Sequence, residues 1–271
     1  MRDTLRSEYR KLVTTRSWWV LLLVMAAYLA FLGAVMGFAF TIGSGDAAGG
    51  ATTDLPQDLD PLAVVTAVYT LAASLGYIFP VLVGALSVTG EARYRTLTPT
   101  LLAEPRRTRL VAAKLLASVP LGLLFGIVGA GTTVAAGAAV LALRGEPTLL
   151  SDPQVLRIVA QTVLALTVWC VVGVGFGCAL PNQVVAIVVL LAFTQFVEPL
   201  LRVLLLQVDA LAGVVRFLPG AAGEAISGGS FYASSGLGDI LAPWQGALVL
   251  LGYAVALATL GRLTTFRRDI T

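Results

Sequence analysis

Long apolar runs without any charge constrain this sequence more than any motif does. The first of them, 18–42, contains no Asp, Glu, Lys or Arg along its whole length. A helix rises 1.5 Å per residue, so about 20 apolar residues cross the roughly 30 Å hydrocarbon core of a bilayer. Lipid offers no partners for backbone N–H and C=O groups, which leaves only helices or a closed barrel. These runs lack the alternation of a barrel strand, so we interpret them as helices.

The overall composition agrees with a membrane protein and leaves no part of the chain for a soluble domain. Of the 271 residues, 58% are hydrophobic and only 12% are charged. Soluble domains carry about 25% charged residues, so this chain lacks the polar surface that such a domain needs. We therefore predict an all-α integral membrane protein in which residues 1–271 form a single transmembrane domain.

Six stretches are long and apolar enough to predict transmembrane helices, and Pro80 predicts a kink in the second. Stretch 203–218 is also apolar, but it contains Asp209 and Arg216 and is short for a span. We therefore predict that the external segment 202–242 forms short helices, either re-entrant or interfacial, before span six. The six predicted spans are 18–42, 62–88, a part of 110–143, 155–180, 183–201 and 243–263.

The distribution of Lys and Arg predicts the orientation of these spans. Cytoplasmic loops of membrane proteins are enriched in basic residues. With six spans, every Lys and Arg except Arg144, Arg157, Arg202 and Arg216 falls on one side. We expect that side to be the cytoplasm and to hold both termini of a multi-pass protein of the cytoplasmic (inner) cell membrane.

Residues 1–17 predict an amphipathic helix that lies in the inner membrane interface. Trp18 and Trp19 follow where the chain enters span one, as aromatic anchors do at a membrane surface. We therefore expect this segment to contact membrane lipids. Its apolar side chains recur at helical spacing and would form one face, namely Leu5, Tyr9, Leu12 and Val13.

The residues that common catalytic sites require are missing from the sequence. It contains no His, which excludes Ser-His-Asp and Cys-His arrangements. The phosphate-binding pattern G-x-x-x-x-G-K-[ST] is also absent, so we do not expect the chain to hydrolyse ATP by that route. We predict no enzymatic activity, no metal or cofactor in this chain and no nucleic-acid partner.

Small residues inside the spans predict close helix packing. The spacing G-x-x-x-G lets helix backbones approach each other, and it occurs at Gly122/Gly126 and at Gly173/Gly177. The two cysteines share one apolar run, where we expect them to pack as small apolar residues.

The predicted cytoplasmic loop 90–109, between spans two and three, is too patterned for a simple connector. Pro99 fits the first turn of a short helix, and Pro105 would end it. An exposed apolar stripe flanked by arginines suits docking into a groove on a soluble partner. In such a helix three leucines would share one face, namely Leu97, Leu101 and Leu102.

At this loop the sequence resembles the permease subunits of type-2 ATP-binding-cassette (ABC) transporters. The loop of that family typically reads G-E, a few residues, G-T-L, then L-L and a Pro followed by Arg. The likeness extends to the layout of the whole chain, with an interfacial helix, six spans and an external segment before the last span. The matching residues are Gly90-Glu91, Thr96-Leu97, Leu101-Leu102 and Pro105-Arg106, with Arg95 where the family usually has Gly.

The resemblance implies transport that is powered from outside the chain. In such permeases the loop forms a cytoplasmic coupling helix that contacts a separate ATPase subunit, which binds ATP and Mg²⁺. Two ATPase subunits act on two permease chains, so a second permease chain, identical or related, is also implied. The candidate coupling contacts are Glu91, Arg93, Thr96, Leu97, Leu101, Leu102, Glu104 and Arg106, with a smaller second contact at Pro181 and Asn182.

These features predict the permease of an exporter that moves an amphipathic or lipid-like substrate, such as a drug, an antibiotic or a lipid-linked molecule. The main alternative is a stand-alone secondary transporter or channel; a membrane-embedded enzyme and a scaffold or immunity protein come after it. An ion pathway usually needs intramembrane carboxylates or His, and acidic residues avoid the middle of every predicted span. We expect Glu198 and Arg202, near the outer end of span five, to form an interfacial ion pair.

Overall fold

The computed structural model describes residues 2–42, 60–104, 106–208, 213–228 and 241–265, and all regular elements in these ranges are helical. The described residues therefore confirm the predicted all-α class. A π-helical turn (Phe193–Val197) joins α9 to α10, and a 3₁₀ turn (Val215–Phe217) precedes α11. In chain order the α-helices are α1 (Arg2–Thr14), α2 (Ser17–Ile42), α3 (Pro61–Tyr69), α4 (Leu71–Ser74), α5 (Ile78–Arg93), α6 (Leu97–Ala103), α7 (Arg107–Leu143), α8 (Pro153–Ala179), α9 (Gln183–Ala192), α10 (Glu198–Leu206), α11 (Pro219–Ile226) and α12 (Pro243–Thr264).

Five helical segments are long and apolar enough to cross a membrane, which supports a multi-pass membrane protein. They correspond to the predicted spans one, three, four, five and six, and their ends lie close to the predicted ones. The five segments are Ser17–Thr41, Arg107–Leu143, Pro153–Ala179, Gln183–Leu206 and Pro243–Thr264.

The predicted second span, 62–88, is divided into the three short helices α3, α4 and α5, of which α5 is the longest with 16 residues. Pro80 is the third residue of α5, where its missing N–H leaves no backbone bond unmade. In an unbroken helix, a residue other than proline at position 80 would donate its N–H to the carbonyl of Gly76. The prediction of one continuous span kinked at Pro80 is therefore wrong, because the helix breaks before the proline.

The core of the bundle is built around α8, which packs against α5, α7 and α12. Its small residues make this possible: a Cβ on Gly177 would lie 2.6 Å from the carbonyl oxygen of Ala85 in α5. A Cβ on Gly126 of α7 would lie 2.6 Å from the carbonyl oxygen of Val163 in α8. The predicted packing roles of the small residues are confirmed, and both cysteines, Cys170 and Cys178, are buried free thiols.

The two ends of the bundle differ in what covers them. α1, α6 and the start of α7 lie at one end, called the α1 end below. The predicted external segment 202–242 contributes α11, which is buried along its whole length against α8 and α12. A short helix in this segment is thus confirmed, while residues 209–212 and 229–240 lie outside the described ranges.

Candidate functional site

Four charged side chains from three helices form one cluster at the α1 end. This charge quartet comprises Glu8 and Lys11 of α1, Glu91 of α5 and Lys114 of α7. Lys114 Nζ lies 2.6 Å from Glu8 Oε2 and 2.8 Å from Glu91 Oε1. Lys11 Nζ lies 2.7 Å from Glu8 Oε1 and 3.0 Å from Glu91 Oε1. Each lysine therefore bridges both carboxylates, and the quartet carries no net charge.

The quartet is largely removed from solvent. The side chain of Lys114 is 3% exposed, and Glu8 and Glu91 are buried as well, whereas Lys11 lies at the rim and is 39% exposed. Burial of an unpaired ion costs several kcal/mol, so each of these groups depends on its partners. The arrangement consequently fixes α1 against α5 and α7.

Hydrogen bonds extend this cluster to α6, the helix of the predicted coupling loop. Lys11 Nζ donates to Thr100 Oγ1 at 3.1 Å, and Thr4 Oγ1 donates to Glu104 Oε2 at 3.2 Å. Two polar contacts therefore join α1 to α6. Of the predicted coupling residues, Glu91 and Glu104 take part in this scaffold, and Glu91 is buried within it.

The environment of Lys11 favours its charged form. Partial burial lowers the pKa of this ammonium group, but its hydrogen bonds to Glu8 and Glu91 and the charges of these carboxylates outweigh burial. The net effect raises the pKa of Lys11 above its ordinary value of 10.5. Lys11 is therefore a permanent cation at neutral pH.

The turn between α5 and α6 places Arg95 in a conformation that is unusual for a residue with a side chain. Arg95 has φ +56°, in the left-handed region that favours glycine. Thr96 N–H donates to the carbonyl of Glu91 at 2.9 Å, and Arg95 N–H donates to that of Ala92 at 3.3 Å. This is the bonding pattern of a Schellman helix end. The turn is present although its left-handed residue is Arg and not Gly.

Leu101 and Leu102 of α6 do not share one face, contrary to the prediction. Leu101 is half-buried and packs against the apolar cluster that includes Val88 and Leu110, whereas the side chain of Leu102 is 80% exposed. The two residues are neighbours, and a helix turns by about 100° between them, so only one can face inward. The Leu97 side chain and Pro105 lie outside the described parts of the chain.

The remaining predicted contacts lie on the same end of the bundle. Arg93 Nη1 donates to Gln183 Oε1 at 3.1 Å, which brings the turn before α9 next to the end of α5. Asn182 Oδ1 accepts hydrogen bonds from the N–H groups of Val184 and Val185, so its side chain caps α9. Five of these remaining contacts are exposed, namely Arg93, Thr96, Arg106, Pro181 and Asn182.

The apolar residues of α1 differ in how far they are buried. Leu12 packs against the core, and Leu5 is half-buried. Both lie near Glu8, which pairs with Lys114 of α7 and so turns this side of α1 inward. Tyr9 and Val13 are exposed. Trp18 is half-buried and donates from Nε1 to the carbonyl of Val13, while Trp19 is 45% exposed. The amphipathic helix in the inner membrane interface stays a prediction, with Tyr9 and Val13 as the residues of α1 left exposed to meet lipid.

A second buried charge cluster lies between α10 and α11. Arg202 Nη2 lies 2.9 Å from Glu198 Oε1, and its Nη1 lies 2.9 Å from Glu224 Oε1. The N–H groups of Gly220 and Ala221 also donate to Glu198, at 2.9 and 3.1 Å. The Glu198–Arg202 ion pair is confirmed and is buried beneath α11, while its position at the membrane interface stays a prediction. We call Glu198, Arg202 and Glu224 the charge triad.

Sequence reasoning did not identify Glu8, Lys114 or Glu224 as site residues. A signal existed for Lys114, which stands in an otherwise apolar stretch where a cation needs a partner. The described residues hold no group of three or more Asp, Glu or Cys side chains placed to bind a metal ion. Comparison of this chain with protein-family models finds no match, and comparison with curated proteins finds none either.

Proposed function

We propose that this chain is the membrane-spanning permease subunit of an ABC exporter. The observation that carries the proposal is the charge quartet, which joins α1 and α7 around Glu91 and holds α6 through Thr100. A coupling helix must transmit force, and a helix bonded to its neighbours through buried ion pairs moves with them. In this proposal the ATPase contacts the exposed side of α6, and Leu102 is its apolar anchor.

The hydrogen bonds and ion pairs at the α1 end define the path by which motion of α6 would reach the other helices. Displacement of α6 acts on α1 through the Lys11–Thr100 and Thr4–Glu104 contacts. It acts on α7 through the Glu91–Lys114 pair. α7 is the longest helix of the described chain, so a shift at the α1 end reaches the opposite end of the bundle. The turn at Pro181 and Asn182 supplies the second, smaller contact.

The proposed assembly contains two permease chains and two ATPase subunits, which bind ATP and Mg²⁺ and hydrolyse the ATP. Here α3, α4 and α5 together act as the second of six spans, and α11 is re-entrant from the external side. Both termini are then cytoplasmic in the cell membrane. The exposed Tyr9, Val13 and Trp19 contact lipid at the inner interface. The substrate is amphipathic or lipid-like, such as a drug, an antibiotic or a lipid-linked molecule.

The test is purification of the tagged chain from its native membrane in mild detergent. We expect a stoichiometric soluble ATPase to accompany it and Leu102→Asp to abolish the association. Leu143→Asp is the matched control, because Leu143 is also a highly exposed leucine but lies at the far end of α7. Purification of the chain alone, or equal loss of ATPase in both variants, would contradict the proposal.

A stand-alone secondary transporter is the second candidate, and the charge triad favours it. Ionisable groups buried within a bundle often mark ion or substrate pathways. Export from right-side-out cells separates the two functions. The ABC proposal requires that ATP depletion stops export while collapse of the ion gradients does not, and a secondary transporter behaves in the opposite way.

A further inference from the structure

A cavity of about 360 Å³ lies beside the charge quartet, between α1, α5 and α7. Its volume falls within the range of small-molecule sites, which is roughly 300–1,000 Å³. Much of its wall is apolar, with contributions from Leu12, Trp18, Val83, Leu86 and Leu121. The cavity therefore offers room for a hydrocarbon segment next to a polar wall.

The polar wall offers hydrogen-bond acceptors. The hydroxyl of Ser87 donates to the carbonyl of Gly84, that of Thr14 to Arg10 and that of Thr15 to Lys11. Because their hydrogens are used in this way, these three cavity-lining hydroxyls present only lone pairs to an occupant.

Glu91 adds an acceptor that lacks a partner. Its Oε1 bonds both lysines, but its Oε2 is buried and has no hydrogen-bond partner. A buried carboxylate oxygen left unpaired is costly, so a donor that entered the cavity would relieve that cost. The occupant should accordingly bring at least one O–H or N–H group.

Charge balance selects among the possible donors. Two lysines and two glutamates cancel within the quartet, so no net charge attracts an ion into the cavity. A primary ammonium group would approach Glu91 against the repulsion of Lys11 and Lys114. A carboxylate would approach against the repulsion of Glu8 and Glu91, and neither Glu91 Oε2 nor the three hydroxyls would offer it a donor. An uncharged hydroxyl meets neither obstacle.

We propose that this cavity binds an uncharged amphipathic alcohol, whose hydroxyl donates to Glu91 Oε2 and whose hydrocarbon lies against Leu12, Trp18 and Leu121. Oε2 is closed off from water in this structure, so the proposal requires that the carboxylate turns about its soft terminal torsion when the alcohol binds, with Lys11 and Lys114 following Oε1. The alcohol comes either from the aqueous phase or from a membrane glyceride. This inference does not depend on the proposed transport function.

The test is photolabelling of the purified full chain in phosphatidylcholine nanodiscs with a diazirine-bearing long-chain alkanol. The control probe is its methyl ether, which has the same chain and no O–H group. We expect saturable labelling of peptides containing Leu12–Trp18 or Val83–Glu91. The ether should label them at least about tenfold less, the factor expected for one lost bond to a charged acceptor. Equal labelling by both probes, or labelling that does not saturate, would overturn the proposal.

Two glycine variants provide a matched pair for the same assay. A Cβ on Gly90, which lines the cavity, or on Gly252 of α12 meets no atom within 4 Å. Gly90→Leu should fill the cavity and reduce alkanol labelling by at least about tenfold, and Gly252→Leu should leave it unchanged. Replacement of glycine within a helix also raises helix propensity, which favours folded variants. Full labelling of Gly90→Leu would show that the alkanol binds elsewhere and would overturn the proposal.

The source of the alcohol is separated by competition. Unlabelled decanol supplied in buffer should displace the probe if soluble alcohols reach the site. A monoacylglycerol incorporated in the nanodisc should displace it if membrane glycerides do. Displacement by either supports the site and identifies its source. If neither displaces the probe, the cavity is not an alcohol site.

Discussion

The charge quartet and the charge triad are both buried, but they balance their charges differently. The quartet pairs two carboxylates with two ammonium groups, all supplied by side chains. The triad places two carboxylates around the guanidinium of Arg202, and two backbone N–H groups at the start of α11 add positive potential at Glu198.

This difference shows how each region joins its elements. In the quartet every carboxylate has two ammonium partners, so the loss of one lysine leaves the other in place. In the triad Arg202 bonds both acids, so the loss of Arg202 removes the guanidinium that separates the charges of Glu198 and Glu224. We therefore expect the triad to be the more sensitive to a single substitution.

Arg202→Met should have the largest effect on stability. It leaves Glu198 and Glu224 buried without this guanidinium, and breaking a buried pair typically costs about 3–5 kcal/mol. We expect the upper part of that range, measured by denaturant unfolding in detergent. Arg157→Met is the control, because Arg157 is an exposed arginine on α8. Equal stability of the two variants would contradict the expected sensitivity of the charge triad.

Lys114→Met should destabilise the chain by about 3 kcal/mol, the lower part of the same range, since Lys11 still bonds both carboxylates. Adding Glu8→Gln should recover part of this loss, because the second change restores neutrality. Arg109→Met, an exposed cation on the same helix, should change stability little. A larger loss for Lys114→Met than for Arg202→Met would reverse the proposed order.

The pH dependence of stability tests whether charged Lys11 stabilises the folded chain. Its pKa is raised in the folded chain, so its stabilisation is fully present below the ordinary value of 10.5. That stabilisation is lost as the pH rises through the folded pKa, above 10.5. We expect the unfolding midpoint to fall more steeply above pH 10.5 in the native chain than in Lys11→Met. Parallel curves would contradict this role.

Arg95 should give the smallest effect, which separates backbone strain from side-chain contacts at the α1 end. Arg95→Gly relieves a left-handed conformation that costs a residue with a Cβ about 1 kcal/mol. Arg95→Ala removes the same side-chain contacts but keeps that cost. We expect the Gly variant to be more stable than the Ala variant by about 1 kcal/mol in thermal unfolding. No difference would show that the turn is not strained.

Much of the fold could be predicted from the sequence because the spans depend on local composition. Five apolar runs became long helices near the predicted residues. The second run did not become one long helix. Its break lies just before Pro80, where Gly76 packs closely against Leu29 of α2, and composition does not encode such a contact. The same holds for α11, whose burial depends on its neighbours.

The candidate site could be predicted only in part. The position of α6 followed from Pro99 and the leucine pattern, and the strained turn lies at Arg95, where the resembling family has glycine. The quartet could not be predicted as a unit, since Glu8, Glu91 and Lys114 lie far apart in the sequence and meet only through packing. Only the spacing of Glu8 and Lys11, one helical turn apart, was a local signal.

The proposed function requires that the exposed side of α6 contacts a partner ATPase. The most direct measurement is site-specific photocrosslinking in cells, with benzoylphenylalanine placed at Leu102 and, as the control, at Leu143. We expect an adduct from position 102 that contains ATPase peptides, and none from position 143. Absence of a protein adduct at 102, or the same adducts from both positions, would contradict it.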